Sequence, residues 1–394
     1  MDNLLIQAAR IYTQSGVVAP GRMLIEDGVI QSISKSTDDV PDLNGKKYQI
    51  YKFARFSIIP GFIDTHIHGR LGYEFGEDIK STKRIAQDLP QSGVTSVLPT
   101  IGAKPSLEEI LEAIEIVISV LEKADGGAEI LGIHMEGPYF SKEKYARGSQ
   151  PTQYFRSPSV TELHKFYNAS NGSIKKISLA PELDGSINVI KEAVNLGIVV
   201  CAGHSNATYE ESVTAIEAGL SCSTHTFNGM PPFHHRNPGL IGAILTHDEI
   251  NAEFIPDGQH ISPVAIKLLI SCKSLDRIHA VSDNTRYAGL KDGEYREEKK
   301  GRTVIKEGNK AYVKGGTLAG SVCQLDYGFK ILTDQVGLSI EDSIKLLSEN
   351  PAKVIGIYER KGSIDIGKDA DFLVIDDELN IRKTFIRGKI EHSI

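Results

Sequence analysis

The sequence predicts an α/β protein: a (β/α)8 barrel of the TIM type carrying a small β-sandwich domain formed from both chain termini. Three observations predict it. Apolar, β-branched runs recur eight times through the middle of the chain, and most intervals between them have helical periodicity. Short strand signals broken by Gly and Asp are confined to the two ends. Near-continuous apolar strands alternating with amphipathic helices imply a parallel sheet covered on both faces, and eight such units imply closure.

Taken in order, residues 1–56 supply the first part of the terminal domain. There RMLIEDGVIQSIS places two apolar runs around Asp27-Gly28, a two-residue hairpin turn. Residues 57–355 are the expected barrel, with strands in FSIIPGFID, TSVLPT, EILGIHMEG, KISLAPE, GIVVCAGHS, CSTHTF, NAEFIP and IHAVSD. Amphipathic helices are predicted over 106–124, 186–197 and 207–219. Ser106 with Glu109 forms a capping box at the first of these, with Pro105 just before it. Residues 356–394 hold GSIDIGKDADFLVIDDELNIRKTFIRGKI, the second part of the terminal domain. Neither end has enough strands to close a sheet alone, so the two are expected to combine. A length of 394 residues, beyond the roughly 250 at which one core stops growing, agrees with a large domain plus a small one.

Composition narrows the function classes. The net charge of -7 lacks the basic footprint of a general nucleic-acid binder, while one local Arg could still hold an anionic small molecule. The four cysteines are scattered without CxxC spacing, which argues against a disulfide framework or a cysteine zinc site. The N-terminal segment lacks the basic flank and long apolar run of a signal peptide, and nowhere do 18 apolar residues run together. The chain reads as cytoplasmic, with no membrane partner.

The polar residues carry the functional signal. In barrel enzymes the active site lies at the C-terminal ends of the strands. His66 and His68 follow IIPGFID, Glu136 closes ILGIHMEG, His204 ends IVVCAGHS, His225 ends CSTHTF and Asp283 ends IHAVSD. Singly, each has an ordinary reading: a strand-end His is usually a hydrogen-bonded core or surface residue, and a strand-end Asp is usually a helix N-cap. Together they place six metal-competent or acid–base groups at one end of five strands. Imidazole and carboxylate ligands suit zinc or ferrous iron. HxH on an extended strand puts both rings on one face.

The segments PGFIDTHIHG, LGIHMEGPY, APE, GHSNAT, THTFNGM with RNPGL, VSDNTRYAG and GTLAGS, followed by NPAKVIG, resemble the amidohydrolase superfamily. Within it they are similar, in order and over essentially the whole chain, to the N-acetylglucosamine-6-phosphate deacetylase family. EGPY, HTFNGM and GTLAGS are specific; HxH is shared by many relatives. The resemblance implies that Glu136, His204 and His225 hold a principal divalent metal. His66 and His68 then hold a second across a Glu136 bridge, so that one or two ions bind. It implies acid–base work by Asp283, which takes a proton from the attacking water and returns it to the leaving amine nitrogen. Asn228, Gly229, Arg236 and His260 match contacts to the sugar phosphate, and Ser149 with Leu318, Ala319 and Gly320 match further substrate contacts. A homodimer is implied as well. Gln150 stands where some members carry His, and the acid–base segment SDNTRYAG and the charged stretch 291–314 differ from the family's usual pattern. The substrate therefore reads as N-acetylglucosamine 6-phosphate with its galactosamine epimer as the alternative. An amidohydrolase acting on a cyclic amide or amine, which commonly bridges its metals with a modified lysine, and a metal-free scaffold are the competing classes. His134 reads either as a group that helps hold the substrate carbonyl or the ligands or as a core histidine, His234 and His235 as loop surface, and Cys201 and Cys222 as core thiols.

Overall fold

The computed structural model describes residues 3–38, 46–121, 126–298 and 301–394. Eight parallel strands among them follow one another around the barrel in chain order: Phe62–Ile67, Val94–Gly102, Ile133–Glu136, Ile174–Leu179, Val199–Ala202, Cys222–Ser223, Asn251–Phe254 and Ile278–Ala280. The ring closes just beyond the eighth strand. Ile67 forms a parallel bridge with Asn284, and the backbone N–H groups of Asp283 and His68 bond to His66 O and Asn284 O, both at 2.8 Å. Seven of the eight apolar runs become barrel strands, while the first, FSIIPGFID, is split: FSIIP ends strand Gln49–Pro60 of the terminal sheet and FID begins the first barrel strand. Their side chains, with those of the surrounding helices, form one continuous apolar core that includes Val97, Ile177, Val200 and Ala252.

A helix follows each strand, the last of them after the intervening three-stranded sheet. Leu107–Leu121 buries Ile110, Ala113, Ile114, Val117 and Ile118, the spacing of an amphipathic stripe. Ser106 Oγ accepts from Glu109 N at 3.1 Å, as the cap predicts, while positions 122–124 of the predicted helix lie outside the described residues. Ser186–Asn195 and Tyr209–Glu217 fall within the other two predicted helices, the second starting on a complete capping box of Thr208 and Glu211.

The ends of the chain meet in one eight-stranded sheet. Strand Gln49–Pro60 pairs in parallel with Leu4–Thr13 on one side and antiparallel with Phe372–Ile375 on the other. The predicted hairpin is present: Gly21–Glu26 and Val29–Lys35 flank Asp27 (φ 51) and Gly28 (φ 80), the paired left-handed conformation that two-residue turn requires. The charged stretch 291–314 contains a three-stranded antiparallel sheet of Gly293–Glu297, Arg302–Glu307 and Lys310–Val313. Its apolar side, Tyr295, Val304, Ala311 and Val313, packs on Tyr287, Ala319 and Val322. This sheet occupies the loop after the eighth strand, on the same end of the barrel as the candidate ligands.

Candidate metal centre and active site

Short strands deliver the ligands and abrupt turns aim them. His204, His225 and Asp283 each follow a strand of two to four residues, and all three adopt the left-handed backbone, with φ of 49, 31 and 48. Non-glycine residues rarely do so, and the cost is typically 1–3 kcal/mol each, tolerated mainly where surrounding structure imposes it. Here the turn rotates each side chain off the barrel wall toward the axis.

The result is a cluster around Glu136. Glu136 Oε1 lies 3.1 Å from His204 Nε2, 3.2 Å from His225 Nε2 and 3.6 Å from His66 Nε2, while Oε2 lies 3.2 Å from His68 Nε2. His66, His68 and Glu136 form one candidate ligand group and Glu136, His204 and His225 a second, sharing that carboxylate. Asp283 Oδ1 sits 3.3 Å from His66 Nε2 and 3.4 Å from His68 Nε2. The structure therefore brings together all six strand-end residues singled out from sequence.

The tautomers follow from the partners. His204 Nδ1 is 2.7 Å from Ala146 O, His225 Nδ1 is 3.1 Å from Asn228 O, and His66 Nδ1 is 2.8 Å from Glu253 Oε1. Carbonyl and carboxylate oxygens only accept, so each Nδ1 carries its hydrogen and each Nε2, once deprotonated, presents a lone pair. Three such lone pairs converging on a carboxylate fit a divalent cation. The electrostatics agree. Burial works against a charged His68, yet hydrogen bonds to Asp283 and Glu136 raise it to about 10. His225, likewise buried, is raised to about 9 by Glu136. Burial disfavours charge on Glu136 and Asp283 as well. The surrounding histidines nevertheless hold Glu136 well below the carboxylate range, and His66 lowers Asp283. The site calls for positive charge.

The remaining predicted residues fall into two sets. Gly229 (φ 63) lies against the cluster: a Cβ built there would stand 3.1 Å from His204 Nδ1 and 3.4 Å from His225 Cε1. Asn228 supplies the carbonyl that orients His225, and its buried Nδ2 has no hydrogen-bond partner among the described residues. Gly320 (φ 77) lies on the segment that carries Asp283, because Ser321 N bonds to Asp283 O at 3.1 Å, and Leu318 and Ala319 lead into it. The backbone oxygen of Ser149 accepts from Arg302 Nη1 at 2.6 Å, tying the loop after the third strand to the three-stranded sheet. Gln150 Nε2 donates to Glu136 Oε2 at 3.3 Å. Farther out, Arg236 is exposed and its Nη1 lies 3.0 Å from the neighbouring His235 Nε2. His260 is clamped by Asp257, with Nδ1 2.6 Å from Oδ2. The structure does not join these two to the metal cluster.

Some residues correct or extend the sequence reading. His134 is buried with both nitrogens engaged, Nδ1 3.2 Å from Thr100 Oγ1 and Nε2 2.8 Å from Ser178 Oγ, so it supports the ring of His66 and does not face a substrate. Glu253 and Lys176 were not singled out as site residues, yet they are fully buried beneath the cluster and bonded to each other. The signal was a carboxylate and an ammonium inside otherwise apolar strand runs.

Residues 57–390 match the amidohydrolase family, and the chain belongs to it. More particularly, it is 35% identical over 392 residues to the N-acetylglucosamine-6-phosphate deacetylase of Bacillus subtilis (strain 168), covering 99% of this chain and 97% of that one. It is 30% identical over 387 residues to the N-acetylgalactosamine-6-phosphate deacetylase of Escherichia coli O157:H7, covering 98% of each. Among solved structures, a mutant N-acetyl-D-glucosamine-6-phosphate deacetylase of Mycobacterium smegmatis, in complex with N-acetyl-D-glucosamine-6-phosphate, superposes with a TM-score of 0.91. It is 25% identical and covers all of both chains.

Proposed function

We propose that the protein is a metal-dependent deacetylase that hydrolyses the acetamide of N-acetylglucosamine 6-phosphate to glucosamine 6-phosphate and acetate. The observation that carries the reading is the carboxylate of Asp283 placed beside a histidine cluster bridged by Glu136, in a chain matched end to end by deacetylases of that class. His66, His68, Glu136, His204 and His225 would hold one or two ions, zinc or iron; two ligand groups sharing Glu136 favour two. An ion so held would polarise a carbonyl and acidify water toward a pKa of roughly 7. Asp283 takes a proton from the attacking water and delivers it to the amine nitrogen, which is a poor leaving group until protonated. Asn228, Gly229, Ser149 and the Leu318–Gly320 segment line the sugar, and Arg236 and His260 take the phosphate. Arg236 suits that role because its guanidinium is exposed and, among the described residues, bonded to no carboxylate.

Two coarser features complete the reading. No helix among the described residues is long and apolar enough to cross a membrane, and all four cysteines are free thiols, which suits the cytoplasm. Val264 and Leu268, exposed four residues apart on helix Pro263–Cys272 beside His260, offer an apolar face for a homodimer.

The test is acetate release from N-acetylglucosamine 6-phosphate, its galactosamine epimer and both unphosphorylated sugars. The expected order places the glucosamine phosphate first and the unphosphorylated sugars last. The second reading, the galactosamine epimer, rests on similarity to the Escherichia coli relative, and a reversed order would establish it. Equal rates with and without the phosphate would overturn both.

A further inference from the structure

Beneath the metal cluster the barrel holds an ion pair that the proposed chemistry does not use. Glu253 on the seventh strand and Lys176 on the fourth are both fully buried and joined through Glu253 Oε2. Such a pair is weak evidence for stability, since apolar residues of the same volume commonly do as well. The other oxygen shows what it does. Glu253 Oε1 accepts from His66 Nδ1 at 2.8 Å and from the backbone N–H of His225 at 3.0 Å. His66 belongs to one ligand group and His225 to the other. The backbone oxygen of Glu253 also accepts from Thr226 N at 2.7 Å, pinning the left-handed turn that aims His225.

We propose that Glu253, charge-balanced by Lys176 from the opposite wall of the barrel, is a positioning residue that sets the two ligand groups at their working separation. One oxygen atom fixes His66 in the tautomer that presents Nε2 and fixes the turn that presents His225. A carboxylate behind a ligating imidazole also strengthens it as a donor, and losing such a partner typically costs 10–100-fold in metal affinity. His279, whose Nε2 lies 3.6 Å from Glu253 Oε2, fills the remaining side of the carboxylate.

The inference rests on the proposed metal centre and not on the choice of substrate. Two variants of the full chain test it. Glu253→Asp keeps the charge and its pairing with Lys176 but withdraws the oxygen by one methylene. Lys176→Met combined with Glu253→Gln keeps the reach of the acceptor and removes both charges together, so the barrel is left neutral if the shorter side chain prevents folding. Circular dichroism establishes that each variant is folded. Metal retention against a graded chelator, by elemental analysis, and the visible spectrum of the cobalt-substituted protein are then read. Expected are a roughly 10–100-fold loss of metal affinity in Glu253→Asp, a smaller loss in the double variant, and a changed cobalt spectrum in both. A folded variant with wild-type affinity and spectrum overturns the proposal, while a wild type that binds no transition metal overturns the metal centre itself.

Discussion

Replacing Asp283 with Asn removes the proton carrier while keeping the shape of the site. Asn tolerates the left-handed backbone at this position (φ 48) better than most residues, so the turn survives. Its side-chain oxygen can still occupy the place 3.3 Å from His66 Nε2, and the Glu136, His204 and His225 group is untouched. The proton carrier is lost, together with the negative charge that Asp283 places beside His66 and His68. No neighbour can replace it, since Glu136, His66 and His68 all face the cluster that would bind metal. Positioned acid–base groups contribute about 10²–10⁴-fold, or roughly 2.7–5.5 kcal/mol of barrier. With no substitute group, kcat should fall at least about 100-fold. The assay is steady-state acetate release by protein whose metal content has been measured on the same sample. Near-normal turnover by a metal-replete Asp283→Asn protein would remove Asp283 from its role.

Three further outcomes are expected. Glu136→Ala should strip metal from both ligand groups, whereas His204→Ala should empty one and leave some metal with His66 and His68; elemental analysis showing equal losses would refute the shared-carboxylate arrangement. Gly229→Ala should destabilise the site by about 1–3 kcal/mol from its left-handed φ of 63 and crowd His204, weakening metal retention as read by chelator challenge and lowering the melting temperature. Arg236→Ala should lower kcat/KM for the 6-phosphate sugar by roughly 10–10²-fold, the equivalent of one charge-assisted bond of about 1.5–3 kcal/mol, and leave the unphosphorylated sugar almost unaffected. A similar loss on both sugars would withdraw the phosphate contact.

The barrel was legible because its strands are buried on both faces and therefore apolar without interruption, and because ligands at strand ends differ in type from their surroundings. Asp283 and His204 could be found by asking which polar residue ends each run. Glu253 could not be understood that way: its partners Lys176 and His66 are 77 and 187 residues distant, and only barrel closure brings the three together. The three-stranded sheet after Asp283 was obscured by its charge. Its cue was Gly308-Asn309, a turn pair between the alternating runs RTVIKE and KAYV, which form the paired strands Arg302–Glu307 and Lys310–Val313. The outer contacts are the least legible, because Arg236 and His260 sit on loops whose reach toward a sugar depends on tertiary placement rather than on a local pattern.

The terminal sheet also sets a timetable for synthesis. Strand Gln49–Pro60 leaves the ribosome early, but its neighbour Phe372–Ile375 is made roughly 310 residues later. At 5–20 residues per second, the interval is about 15–60 s. Throughout it, the backbone edge between Ser57 and Pro60 has no partner, beside the apolar side chains of Ile58 and Ile59 that are fully buried in the finished fold. Unpaired apolar edges of this kind template aggregation. A nascent chain that stalls or is cleaved before Phe372 therefore carries an open, sticky strand into the cell, and the last translated elements act as its cover.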